Sequence, residues 1–203
     1  MKLYFAPGAC SLSPHIVLRE AGQPVDLVQV DLREKKTTKD GGDFFKVNPK
    51  GQVPTLETDD GFTLTEGPAI VQYIADKCPN AKLAPPAGSK ERYQVQEWLN
   101  FITSELHKNF GAIFRPTTPD AYKEIARQTI DQRFKWVDQK LAGKNYLMGD
   151  NFSVPDAYLF VMTTWAQRMN VPIDAYPNLK AFRDRMAARP KVQEAMKAEG
   201  LIQ

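Results

Sequence analysis

The sequence predicts an α/β domain followed by an all-α helical domain, and three observations predict it. The chain opens on a β-α-β pattern, strand-period apolar runs stop before Pro79, and beyond Lys90 the apolar periods are helical. We divide the chain into an α/β domain at residues 1–78, a linker at 79–90 and an all-helical domain at 91–203. A length of 203 residues lies between one large domain and two small ones, at roughly 100–200 residues per domain.

Residues 2–5 read as a strand, 11–21 as a helix stopped by Gly22, and Val25 to Val30 as a second strand. The handedness of such crossovers makes the two strands parallel neighbours with the helix on one face. Arg33-Glu34-Lys35-Lys36 and the Gly41-Gly42 break predict a mobile loop over 33–42, and Phe44, Phe45 and Val47 a short helix behind it. Asn48-Pro49-Lys50-Gly51 is turn chemistry. Gln52 to Leu56 is a strand entered through Pro54, which makes the Val53–Pro54 bond a candidate for cis. Thr58-Asp59-Asp60-Gly61 closes a hairpin onto Phe62-Thr63-Leu64. From Thr65 the period becomes helical, with Ala69, Ile70, Tyr73 and Ile74 on one face, until Cys78-Pro79.

The linker carries three prolines, Pro79, Pro85 and Pro86, and no periodicity. Trp98, Phe101, Ile102, Leu106, Phe110 and Ile113 then mark one helix to about Arg115. Ile130, Phe134, Val137 and Leu141 mark a second, stopped by Gly143. Ser153-Val154-Pro155-Asp156 has the form of a capping box with Asp in place of Glu. The helix it opens, Ala157 to Met169, is apolar nearly all round and is expected at the middle of its domain. Pro177 and Pro190 open two more.

Composition removes several function classes. Hydrophobic residues make up 42 % of the chain, yet no apolar run approaches the ~20 residues of a membrane span. The net charge of +3 comes from 27 basic and 24 acidic residues spread along the chain, so no nucleic-acid partner is expected. Two cysteines, Cys10 and Cys78, form no disulfide framework, and no metal-ligand spacing of Cys and His is present. With no room for a leader before the first strand, a cytoplasmic location is expected.

Cys10 sits where the first strand gives way to a helix, a place where backbone N–H groups and the helix dipole favour a thiolate. Ser13 occupies the position of a resolving thiol in a Cys-x-x-Cys motif, so a disulfide at Cys10 would form with an external thiol. His107, one of two histidines, projects beside the apolar stripe of its helix, where a base or thiol partner would titrate near neutral pH. His15 reads as helix surface or structural.

The α/β-then-helical order, with Pro7-Gly8-Ala9-Cys10-Ser11, Asn48-Pro49-Lys50-Gly51-Gln52-Val53-Pro54, Thr65-Glu66-Gly67, Glu105-Leu106-His107-Lys108 and Ser153-Val154-Pro155-Asp156, resembles the cytosolic glutathione transferases, the bacterial beta class in particular. The resemblance covers nearly the whole chain. It implies a thioredoxin-like first domain, a homodimer, glutathione as co-substrate and no metal. It implies that Cys10, His107 and Ser11 carry catalysis, with Ser11 as a second hydroxyl donor. It also implies that Ala9, Lys35, Gln52, Val53, Pro54, Glu66, Gly67, Asn100 and Glu105 bind glutathione. Within that set Lys35 would meet the glycyl carboxylate, the Val53 backbone the cysteinyl moiety, and Glu66 the γ-glutamyl ammonium. Asn100 and Glu105 would reach a glutathione across a dimer interface. Many relatives carry Ser where this chain has Gly67, which leaves the γ-glutamyl carboxylate to backbone N–H groups. Tyr4, whose counterpart activates the thiol in other classes, reads here as core or wall.

The function expected is conjugation of glutathione to small hydrophobic electrophiles in detoxification, with Phe110, Phe114 and Trp165 bordering the second substrate. A second reading makes Cys10 the nucleophile, giving thiol-disulfide exchange, peroxidase or reductive dehalogenase activity through a mixed disulfide with glutathione. A third is a non-catalytic protein that binds hydrophobic ligands on the same fold.

Overall fold

The computed structural model describes residues 1–203. They form two compact units, one of Met1–Ala84 with Arg189–Gln203 and one of Pro85–Ala188.

The first unit is built on a five-stranded sheet. Strand β1 (Lys2–Phe5) leads into helix α1 (Leu12–Glu20) and then β2 (Asp26–Asp31), which lies parallel to β1 in the register Tyr4 opposite Val28. Strand β4 (Thr55–Glu57) runs antiparallel on the other side of β1, and β5 (Thr63–Thr65) pairs with β4. Helix α2 (Gly67–Lys77) follows, burying Ile70, Val71, Ile74 and Ala75. On the sheet, Tyr4, Ala6, Val30, Phe44 and Val53 make an apolar cluster.

Two expectations for this unit are corrected. The segment 33–42 is not an unstructured loop. Lys36–Thr37 form the short strand β3, which completes the sheet order β3-β2-β1-β4-β5 by pairing Thr37 with Val30. Two polar residues hold too little pattern to signal a strand; the pairing comes from the neighbouring β2 edge. The strand expected from Gln52 begins only at Thr55, because the turn and Pro54 supply no ladder partners before it.

The last helix departs from the expected boundary at 91–203. Helix α8 (Pro190–Ala198) packs on α1 and so belongs to the first unit. Arg189 holds Glu20 through two bonds of 2.8 and 2.9 Å, a paired geometry that suits guanidinium and carboxylate. At the other end the buried Glu199 carboxylate accepts from the Gly8 N–H at 2.9 Å and bonds His15 Nδ1 at 2.9 Å. Arg19 Nε donates to His15 Nε2, so the ring accepts there and carries its proton on Nδ1, facing Glu199. Pro190 marks where α8 begins but not which unit it packs on.

The second unit is all helical. The helix expected through Arg115 is three segments, α3 (Lys90–Phe101), a π-helical stretch at Ile102–His107 and α4 (Lys108–Phe114). Thr103 and Ser104 donate their hydroxyls to the carbonyls four residues back, at 2.8 and 3.0 Å, supplying local partners where the ladder widens. Helix α5 (Asp120–Leu141) buries Ala126, Ile130, Phe134, Val137 and Leu141 at helical spacing. Helix α6 (Val154–Arg168) is buried from Val154 to Thr163, as its all-round apolarity predicts. Its capping box forms: Asp156 accepts from the N–H and hydroxyl of Ser153 and from the Leu147 N–H, each at 2.8 Å. Helix α7 (Pro177–Ala187) is capped from outside its own sequence, since Asp138 of α5 accepts from the N–H groups of Asn178 and Leu179 at 2.7 and 2.9 Å. No helix is long and apolar enough to cross a membrane.

Candidate functional site

In the first unit the expected residues collect around the turn Asn48–Pro54. Asn48 fixes that turn, its side-chain N–H groups donating to the Gln52 carbonyl at 2.8 Å and the Thr55 hydroxyl at 3.1 Å, while its own oxygen accepts from the Lys50 N–H. The Val53–Pro54 bond is cis. From this frame the Val53 carbonyl accepts from Cys10 Sγ at 3.2 Å, and the Gly51 carbonyl accepts from Lys35 Nζ at 2.8 Å. Exposed Gln52 lies between them, and a Cβ at Gly67 would stand 3.7 Å from the Pro54 ring.

Cys10 lies half-buried at the junction of β1 and α1. Burial pushes the thiol up to about 12, outweighing the opposite pull of its own N–H and that of Ser11, and Glu66 and Glu199 add to the rise. The strand-to-helix location does what the sequence suggests, but desolvation is the larger effect. Cys10 is a thiol that donates. Ala9, just before it, is half-buried and caps the turn by accepting from the Leu12 N–H.

Ser11, expected as a second donor, lies inside the same loop. Its hydroxyl is fully buried and exchanges bonds with the N–H and carbonyl of Ala6, at 3.2 and 3.3 Å, so both of its functions are spent inside the loop that carries Cys10. Tyr4 packs on Phe44 at 5.5 Å between ring centres and bonds Glu57, and its burial makes it core.

Lys35 and Glu66, expected to meet the two opposite charges of a tripeptide, share an unusual backbone. Their φ angles are +57° and +69°, a region that side chains other than glycine rarely adopt and that costs about 1–3 kcal/mol per residue. Such strain persists where neighbours over-determine it, and here they do. Lys35 donates its N–H to Asp31 and accepts from Phe44. Glu66 opens α2, its carbonyl taking the N–H groups of Ala69 and Ile70 at 3.0 Å. The Glu66 carboxylate bonds the ammonium of Lys50, which also donates to the Thr65 hydroxyl at 2.8 Å. In the sequence Lys50 belongs to a turn, and no spacing signal links residues 50 and 66.

In the second unit, His107 ends the π-helical stretch. Its Nδ1 bonds the Tyr158 hydroxyl, and its ring meets Trp165 edge-on at 4.9 Å between centres. Trp165 in turn touches Phe110 at 5.9 Å and Phe114 at 5.0 Å, so the three aromatics expected to border an apolar substrate form one cluster with the histidine. Phe110 is wholly buried and is core; Phe114 and His107 are partly exposed. Tyr158 was missed, because a partner 51 residues away on an apolar helix leaves no local trace. Asn100 is exposed, and Glu105 is held by Arg133 Nε at 2.7 Å.

The first unit thus offers a thiol donor, a cation, a carboxylate and a fixed backbone edge, which suits a small thiol peptide carrying both charges. No cluster of three or more His, Cys, Asp or Glu that could hold a metal ion is present. Comparison with known proteins points the same way. A family model described as glutathione S-transferase, N-terminal domain, matches residues 1–76, and one described as glutathione S-transferase, C-terminal domain, matches 101–190. Glutathione S-transferase GstA of Escherichia coli O157:H7 is 48 % identical over 201 residues, covering 99 % of this chain and 100 % of that one. A sphingomonad glutathione S-transferase complexed with glutathione is 47 % identical with a TM-score of 0.95, covering 100 % of both chains. The bacterial beta class glutathione S-transferase of Sphingomonas chungbukensis is 48 % identical with a TM-score of 0.96, again over 100 % of both.

Proposed function

Since the chain belongs to the glutathione S-transferase family and is an enzyme of that kind, we propose that it conjugates glutathione to small hydrophobic electrophiles, with Cys10 as a hydrogen-bond donor. The observation that carries the role of Cys10 is its bond to Val53: a thiol pushed up to about 12 keeps its proton at neutral pH and can donate it. Glutathione enters as co-substrate along the Val53–Pro54 edge, its glycyl carboxylate on Lys35, its γ-glutamyl ammonium on Glu66 and its γ-glutamyl carboxylate at the start of α2 beside Gly67. Gln52 and Ala9 line the same edge. There the Cys10 S–H turns from the Val53 carbonyl to the glutathione sulfur and stabilises its thiolate. The glutathione sulfur then forms a bond to the electrophilic carbon, and the leaving group departs with the electron pair of the bond that breaks.

His107 accepts the thiol proton in this reading, oriented by Tyr158, and Phe114 and Trp165 offer the apolar partner a surface. Asn100 and Glu105 serve a glutathione of a second subunit in a homodimer. A cytoplasmic, detoxifying role belongs to the same reading.

Conjugation of a generic aryl halide tests it. Cys10→Ala is expected to lower kcat/KM by about 100–1,000-fold, the range for loss of one donor to a developing anion, while calorimetry still detects glutathione. Absence of glutathione binding by the unmodified protein would overturn the reading. A glutathione adduct found by mass spectrometry on Cys10, with disulfide exchange faster than conjugation, would replace it with the mixed-disulfide route.

A further inference from the structure

We infer that Lys50 is a specificity-determining residue: its ammonium occupies the Glu66 carboxylate as a surrogate for the ligand's own ammonium, so that binding is an exchange of one cation for another. The inference rests on the reading that Glu66 receives the γ-glutamyl ammonium.

The geometry is specific. The Lys50 backbone is pinned by the Asn48 side chain at 3.1 Å, within the same turn that presents Val53. Its side chain reaches sixteen residues on to β5 and α2, where Nζ donates to the Thr65 hydroxyl at 2.8 Å and to Glu66 Oε1. Glu66 has a constrained backbone, at φ +69°, which fixes where its side chain starts, while Lys50 ends a long flexible stem. Two ammonium ions on one carboxylate repel, so an incoming ammonium displaces the lysine.

The pair is weak enough to be exchanged. The Lys50 side chain is 47 % exposed and that of Glu66 66 %, and exposed pairs of this kind are commonly worth only a few-fold in an equilibrium. A ligand that brings an ammonium replaces one ion pair with another. One that lacks it either leaves the bridge standing or leaves two charges unmatched. Lys50 thereby sets how strongly the site prefers tripeptides with a free γ-glutamyl amino group, narrowing that preference by the free energy of the bridge it must give up.

Calorimetric titration of the full-length protein tests this with two probes, glutathione and glutaryl-cysteinyl-glycine, the same tripeptide with hydrogen in place of the amino group. Removing Lys50 also removes a positive charge that attracts both anions, so the ratio of the two affinities is the quantity to read. In Lys50→Ala the ratio is expected to move about two- to fivefold toward glutathione, and in Lys50→Arg to stay near its starting value. A ratio that moves away from glutathione would make Lys50 a direct clamp, and an unchanged ratio would make the bridge idle; either overturns the inference. In a Glu66→Gln background the effect of Lys50→Ala must vanish. If adding Glu66→Gln to Lys50→Ala leaves glutathione affinity unchanged, the placement of the ammonium on Glu66 fails, a result distinct from failure of the exchange.

Discussion

Cys10 Sγ donates to the carbonyl of Val53 across 3.2 Å, which ties the thiol to the backbone edge where a peptide ligand would pair. The side chain is therefore held as a donor before any ligand arrives.

One prediction concerns its reactivity. Moving a thiol from the ordinary 9.0 to about 12 lowers thiolate content about a thousandfold, while the more basic thiolate is intrinsically about 30-fold more nucleophilic. Iodoacetamide at pH 8 should thus alkylate Cys10 in the ligand-free protein roughly 30-fold more slowly than free cysteine. The linked effect on stability has a definite sign. The unfolded thiol loses its proton first, so the contribution of Cys10 is full below about pH 9 and is lost as pH rises toward about 12. A Cys10→Ala protein should show a flatter decline over that interval in denaturant titrations.

His107 and Tyr158 should separate by kinetics. His107→Asn is expected to lower kcat about tenfold or more while KM for glutathione stays within about twofold, and Tyr158→Phe to give a smaller fall in the same parameter. Unchanged turnover in both would leave the pair as packing within the aromatic cluster.

Gly51→Ala tests the turn. The added Cβ would stand 2.7 Å from Phe45 Cε1 and 3.4 Å from Lys35 Cδ, at a φ of +60°. Phe45 is exposed and can swing aside, so the backbone decides the outcome, and we expect a stability loss of about 1–2 kcal/mol. Because the Gly51 carbonyl holds Lys35, weaker glutathione binding should accompany it in calorimetry.

Asp156→Ala should be the most damaging single change in the helical unit. It leaves three donors without their acceptor in a buried position, and equilibrium unfolding is expected to show a loss of about 3–5 kcal/mol. Asp156→Asn, which keeps one acceptor oxygen, should lose less.

Much of this was legible in the residues because it is written locally. The β-α-β opening, the Asp-Gly hairpin and the Ser153–Asp156 box are decided by neighbours within four residues, and all three form. What escaped was set by distance or by degree. Lys50 reaches Glu66, Asp138 caps α7 and Tyr158 bonds His107, and each partner lies on another element with no fixed spacing. The direction of the Cys10 shift escaped for a different reason. Sequence shows the helix start that lowers a thiol but not the burial that raises it, and here burial is larger.

Helix α8 has one more consequence, for the order of events at the ribosome. The segment that carries Cys10 is synthesised well before its closing partner, since Gly8 and His15 have their carboxylate partner in Glu199, more than 180 residues later. During translation the first unit must wait, its loop and α1 lacking both the Glu199 bond and the Arg189 clasp on Glu20, until nearly the whole helical unit has emerged. A loop made early is closed late, and a nascent chain stalled before Arg189 would present an unfinished thiol loop to the cell's quality control.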